Sequence, residues 1–251
     1  MSKHVAVTGA NRGIGRAIAA RFLREGWDVW ALVRAPASLK TESSGKGTLH
    51  PVEFDALDEA SVLAATSRLG KEAPRLDVLV NNAGISLAAP LAKTSMVALQ
   101  RMMAVNFTAP FLLCQQLMPA MATAGGGRVV NIASTAALKG FLYTSGYCAS
   151  KHALLGMTRA LALEFAAKNV TVNAVCPGWT DTDMLTASVD NIVKASGRNS
   201  DEARDALQKM NPQGRFVSPD AVADVVWFLA AVEGARAVTG ATYVVDGGET
   251  L

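Results

Sequence analysis

The chain has 251 residues, half of them apolar and 18% charged, enough for one well-buried core. Its net charge of +3 is spread without a block of like charges, which argues against a nucleic-acid-binding surface. No apolar run approaches the roughly 18 residues of a membrane span, and the first residues do not read as a signal peptide.

A strand is expected at 4–8, running into VAVTGANRGIGRAIA and an amphipathic helix over 13–25. Gly9, Gly13 and Gly15 stand in the spacing GxxxGxG. Without Cβ atoms they permit a tight turn and a close approach by a pyrophosphate, while the helix start offers free N–H groups and a positive dipole end. Glycines alone signal little. Placed between strand and helix, with Asn11, Arg12 and Ile14 among them, they mark a dinucleotide cradle.

The strand expected at 28–33 bears on which dinucleotide. A carboxylate at its far end would take the ribose 2′-hydroxyl of NAD, but Arg34 stands there and Asp28 lies at the wrong end. Arg34 and Arg12 suit a 2′-phosphate, because a guanidinium offers it paired donors; both would otherwise be ordinary surface arginines. NADPH/NADP+ is therefore the expected cofactor, with NAD as the alternative.

Residues 35–48, rich in Ser, Gly and Thr, read as a loop. Strand 50–54, helix 58–69, strand 76–80, a long helix over 94–120, strand 128–133, helix 147–167 and strand 170–175 follow. Residues 181–215 break the rhythm, being polar and only partly helical between Pro177-Gly178 and Pro212-Gln213-Gly214. So long an insertion reads as a substrate lid or as a plain surface excursion. Helix 219–231 and strand 241–245 complete the pattern. Strands this apolar are buried on both faces. The expected fold is α/β, a single Rossmann domain over 1–251 with a doubly wound, seven-stranded parallel sheet and helices on both sides. Cys114, Cys148 and Cys176 stand apart, in keeping with a reducing cytoplasm and no metal site.

Tyr147 and Lys151 lie four apart in SGYCASKHAL, a stretch that otherwise reads as helix. Residues so spaced share a helix face. A cation there favours the phenolate and lowers the phenol's pKa, giving a proton donor usable near neutral pH. Taken alone, the pair reads first as a buried tyrosine beside a solvated lysine. Ser134 follows the fifth strand at the sheet edge where α/β proteins bind ligands, so its hydroxyl can bond a substrate oxygen.

Together TGANRGIG (8–15), NNAG (81–84), YCASK (147–151) and VVDGG (244–248) resemble the short-chain dehydrogenase/reductase family, in order and spacing along essentially the whole chain. The resemblance implies hydride transfer between nicotinamide and a carbonyl or secondary alcohol, with a tetrad of Asn106, Ser134, Tyr147 and Lys151. Ser134 matches the family's serine, 13 residues before the tyrosine. Ser134 and Tyr147 would bond the substrate oxygen and Tyr147 would donate the proton. Lys151 would steady the phenolate and bond the nicotinamide ribose, and Asn106 would hold a water leading to solvent. The resemblance also implies that Asp55, with Ala56, meets the adenine. Asn81, Asn82, Ala83 and Gly84 would support the sheet centre and border the adenosine ribose, and Pro177, Gly178, Thr180 and Thr182 would hold the carboxamide and pyrophosphate. No metal is required.

The lid carries five cations (Lys194, Arg198, Arg204, Lys209, Arg215) against six anions (Asp181, Asp183, Asp190, Asp201, Glu202, Asp205), so it does not demand a CoA or carrier-protein handle. The C-terminal third nevertheless resembles 3-oxoacyl thioester reductases, including polyketide ketoreductases, and such a substrate is the leading expectation. Reduction of free ketones, cyclic alcohols or sugars is the alternative, and a non-catalytic NADP(H) sensor a second. An epimerase or dehydratase is a third, disfavoured by the short C-terminal region. The family resemblance also implies a homotetramer built through helices 94–120 and 147–167 and the final strand. Neither a membrane nor nucleic acid is an expected partner.

Overall fold

The structure is a computed structural model and describes residues 3–39, 46–73 and 75–251. Seven parallel strands, β1 (His4–Thr8), β2 (Asp28–Val33), β3 (Leu49–Glu53), β4 (Val78–Asn81), β5 (Gly127–Ile132), β6 (Val170–Pro177) and β7 (Thr242–Val245), form one sheet in the order β3-β2-β1-β4-β5-β6-β7. The helices are α1 (Gly13–Arg24), α2 (Glu59–Glu72), α3 (Met96–Met103), α4 (Ala109–Thr123), α5 (Ser145–Phe165), α6 (Asp183–Ser196), α7 (Ser200–Gln208) and α8 (Pro219–Ala231). Part of the loop expected at 35–48, residues 40–45, lies outside the described residues. Pro36–Ser38 form a short 3-10 turn.

Alternation along each strand divides the core. Val5 and Val7 of β1 face α1 and α8, with Ile18, Phe22 and Val222, whereas Ala6 faces the opposite layer with Leu113, Met118 and Leu154. β1 and β6 are buried along their whole length, as strands covered on both faces must be. The chain reverses direction across the sheet between β1 and β4, which opens a crevice at the carboxyl ends of these strands.

The segment 181–215 holds two helices, α6 and α7, with their own small core of Leu185, Val189, Ala203 and Leu207. A capping box sharpens the start of α7, where Asn199 accepts from the Glu202 amide and the Glu202 carboxylate accepts from the Asn199 amide. The expected helix 94–120 is broken by a π-helical turn, Ala104–Thr108. Pro110 has no N–H with which to close the regular bond to the carbonyl four residues back, so the turn widens. By length and composition, Met96–Thr123 is long and apolar enough to cross a membrane, contrary to the expectation that no such stretch exists. Here Met102, Leu113 and Met118 pack into the core.

Candidate active site

The crevice is a cleft of about 670 Å³. It gathers Gly9, Asn11, Arg12, Gly13, Ile14, Gly15, Arg34, Asp55, Ala56, Asn82, Ala83, Gly84, Ser134, Tyr147, Lys151, Pro177, Gly178, Thr180 and Thr182 along its walls. Asn106 is buried beneath the floor and does not line it.

At one end the glycine turn closes tightly. Gly9 and Gly13 adopt φ of +66° and +52°, the left-handed region that favours glycine. α1 begins without a side-chain cap, as does α6, and both starts border the cleft. Amide donors without side-chain partners at two helix starts suit an anion. Thr8 locks the turn to the β4 loop: its hydroxyl accepts from the amides of Asn82 (2.9 Å) and Ala83 (2.8 Å), while the Asn82 carboxamide donates to the Thr8 carbonyl (2.8 Å). Arg12 reaches Asp183 of α6 across the cleft at 3.3 Å, and Arg34 is exposed past the end of β2. Asp55 accepts from the Leu57 amide at 3.0 Å. Asn81 points away from the cleft into the sheet, where it donates to Asn131 at 2.8 Å.

At the other end, Tyr147 sits in the first turn of α5 and Lys151 one turn on, with the lysine Nζ 5.9 Å from the centre of the phenol ring. Lys151 is buried and donates to the Ile132 carbonyl at 2.8 Å. Burial pushes this ammonium down to about 8. The expected lowering of the Tyr147 pKa does not hold for the protein's own groups. Tyr147 keeps some contact with the cleft, yet burial is the largest influence and raises the phenol, and a hydrogen bond with the Ser134 side chain only partly offsets this. Lys151 aims its ammonium at the Ile132 carbonyl rather than at the phenol oxygen. Ser134 also caps a short turn by accepting from the Ala136 amide at 3.1 Å.

Asn106 stands in the π turn and is fully buried. It accepts from the Ile85 amide and donates to the Ile85 carbonyl, each at 2.9 Å, and donates to Ser150 at 2.9 Å; Ser150 in turn donates to the Tyr147 carbonyl at 2.7 Å. A Cβ on Gly84 would lie 3.4 Å from Asn106 Oδ1 and 3.5 Å from Lys151 Nζ, so this glycine keeps open the space between the two side chains.

Sequence reasoning passed over several residues. Glu249 is buried, and its carboxylate accepts from the Thr135 hydroxyl (3.3 Å) and the Trp179 amide (3.4 Å), so it spans the loops after β5 and β6. Lys139 donates to the Glu249 carbonyl at 2.6 Å. No period or spacing marks such contacts, because they close over 70 to 114 residues of chain. Thr8 and Ser150 do lie within the quoted motifs, but nothing in their spacing distinguishes a hydroxyl that braces a loop from one that faces water.

The depressed lysine has a thermodynamic consequence. Its charged form is disfavoured in the fold, so Lys151 weakens stability below about pH 8, and the penalty fades as pH rises towards 10.5. Cys176 and Cys114, raised to about 11 and about 12, act in the opposite sense above their ordinary 9.0, which leaves the interval between 8 and 9 to the lysine. Going from about pH 7 to about pH 9 should therefore stabilise the wild type relative to Lys151→Met by about 1 kcal/mol. Denaturant titrations of both proteins at the two pH values check this, and parallel curves would count against a depressed lysine.

A family model for short chain dehydrogenases matches residues 3–192. The chain belongs to the short-chain dehydrogenase/reductase family. It is accordingly an oxidoreductase acting on alcohol and ketone groups. It is 36% identical over 247 residues to a 3-oxoacyl-[acyl-carrier-protein] reductase of Aquifex aeolicus, covering 96% of this chain and 95% of the relative. It is 35% identical over 249 residues to a D-threitol dehydrogenase of Mycolicibacterium smegmatis, covering 98% and 92%. Among solved structures, a variant of actinorhodin polyketide ketoreductase with NADPH superposes with a TM-score of 0.92 at 34% identity, over 99% of this chain and 97% of that one.

Proposed function

We propose that this short-chain dehydrogenase/reductase is an NADP(H)-dependent carbonyl reductase whose substrate is a 3-oxoacyl thioester. The observation that carries the reading is a single cleft with Tyr147, Lys151 and Ser134 at one end and Arg12 and Arg34 at the other. The glycine cradle fits a dinucleotide, since its positive φ values and the side-chain-free start of α1 leave backbone donors facing open space. Bound there, the nicotinamide dinucleotide supplies the hydride. Ser134 and Tyr147 hydrogen-bond the substrate oxygen, and Tyr147 donates its proton as charge develops there. Lys151 holds a positive charge near the phenol, and Asn106 fixes Ile85 and, through Ser150, the first turn of α5.

NADP(H) over NAD rests on Arg34 and Arg12, on the lack of a carboxylate immediately after β2, and on the NADPH carried by the ketoreductase. The thioester is favoured by the likeness to that ketoreductase and to the Aquifex reductase. The threitol dehydrogenase supports the second reading, a polyol or free ketone. We assign residues 1–251 to one domain in which α6 and α7 form the substrate lid. We place the protein in the cytoplasm as a homotetramer. Exposed Phe111 and Leu163 on α4 and α5, and Val244 on β7, are the apolar groups such contacts would cover.

An oxidation screen with NADPH and NADH over acetoacetyl-CoA, a cyclic ketone, an aromatic ketone and a quinone tests the reading. Faster NADPH turnover with acetoacetyl-CoA is expected, and a preference for the cyclic ketone would move the assignment to the second reading. Arg34→Ala should raise the KM for NADPH by about tenfold or more while leaving NADH nearly unchanged. Equal losses with both cofactors would remove the 2′-phosphate contact.

A further inference from the structure

The substrate end of the cleft is formed by Ile85, Val105, Phe141, Thr144 and Met184, around Tyr147 and Ser134. Its rim is apolar as well, with Leu87, Leu142 and Tyr143 exposed on the loops after β4 and β5. These loops are tied together where the Ala89 amide donates to the Tyr143 carbonyl at 2.8 Å. Into this surface α3 brings one charged side chain, Arg101, exposed and one helical turn before Val105.

Arg101 differs from the other charged residues of the cleft. Arg12, Arg34, Asp55 and Asp183 belong to the glycine-turn end, where Arg12 and Asp183 pair, and Lys151 is buried at the floor. The nearby Lys139 is held by the Glu249 carbonyl. Among the described residues no carboxylate lies within ion-pairing distance of Arg101. A guanidinium presents a planar fork of donors that matches a carboxylate or phosphate, and at an apolar rim its field is less screened than in open water.

We propose that Arg101 is a specificity-determining residue that selects substrates with an anionic group distal to the reacting carbonyl. The inference rests on the carbonyl-reductase reading and narrows it to substrates pairing an apolar portion with a carboxylate or phosphate. A β-oxo acid and a phosphate-bearing thioester share this chemistry, and the arms of the test separate them.

The experiment measures kcat and KM for acetoacetate, acetoacetyl-CoA, neutral S-acetoacetyl-N-acetylcysteamine and neutral ethyl acetoacetate in wild type, Arg101→Ala and Arg101→Lys. Loss of one charge-assisted contact should raise the alanine variant's KM for the anionic substrate by about tenfold or more, with kcat little changed. The neutral substrates should shift by less than about twofold, and Arg101→Lys should recover part of the loss. A rise confined to acetoacetate identifies the carboxylate, and one confined to acetoacetyl-CoA identifies the phosphate. Equal effects on neutral and anionic substrates, or none, overturn the inference. Turnover of the neutral ester by the wild type tests the carbonyl-reductase reading separately. If nothing is turned over, calorimetric binding of acetoacetate and acetoacetyl-CoA to the NADP+-loaded proteins decides: binding lost in Arg101→Ala keeps the assignment, and no binding to the wild type ends it.

Discussion

Replacing Tyr147 with phenylalanine should lower kcat by about a thousandfold while leaving the Kd for NADPH within about twofold. The substitution deletes one hydroxyl and keeps the ring that Lys151 lies 5.9 Å from. The hydroxyl is the group that meets Ser134 in the cleft, and no second phenol lines it: Tyr143 is on the rim and Tyr243 on β7. General acid–base catalysis by a positioned side chain contributes about 10²–10⁴-fold, so the loss should fall within that range. Because the glycine turn and Arg34 lie at the other end of the cleft, cofactor affinity has no reason to follow. Single-turnover NADPH oxidation, with fluorescence titration of NADPH, separates the two quantities. A variant with near-normal turnover would show that the proton comes from elsewhere.

The second large effect is expected at the cradle. An added Cβ on Gly15 would stand 2.2 Å from the Gly9 carbonyl oxygen and 2.4 Å from the Asn82 carboxamide nitrogen. Neither neighbour can give way cheaply. Gly9 is backbone in a left-handed turn, and the Asn82 carboxamide already donates to the Thr8 carbonyl. Gly15→Ala must therefore push α1 off β1 or break the lock between the glycine turn and the β4 loop. We expect a loss of about 3 kcal/mol or more in stability and NADPH binding weakened beyond detection at ordinary concentrations. Chemical denaturation and cofactor titration measure the two. Gly70, where an added Cβ meets nothing within 4 Å, supplies the control: Gly70→Ala within α2 should leave NADPH binding unchanged and, if anything, raise stability slightly.

The inner strands β1, β2, β4, β5 and β6 were legible because they are short runs rich in Val, Ile, Leu and Ala and buried along nearly their whole length, whereas the edge strands β3 and β7 are only partly buried and carry a weaker signal. β1, β2 and β6 begin where the sequence suggests, and β4 ends one residue later, at Asn81, because its ladder with β5 extends to the Asn81–Asn131 pair. The π turn was not legible as such, since apolar periodicity runs through Met96–Thr123 and only Pro110 hints that one bond cannot close. The cleft residues were legible because glycine turns and the Tyr-Lys step are local patterns. What stayed hidden depends on contacts distant in sequence: Glu249 against Thr135 and Trp179, the Arg12–Asp183 pair, and α3 carrying Arg101 to the substrate end. The sign of the Tyr147 shift was hidden for a related reason. Spacing reports the nearby cation but not the burial that raises the phenol.

Proton donation by Tyr147 requires that its phenol be brought within reach of neutral pH when the cleft is filled. Difference absorption between wild type and Tyr147→Phe isolates the ionisation of this phenol, and it can be followed against pH with and without saturating NADP+. A midpoint above the ordinary tyrosine value of 10.0 is expected in the protein alone, with a clear fall when NADP+ is added. A midpoint that does not move with NADP+ would contradict it.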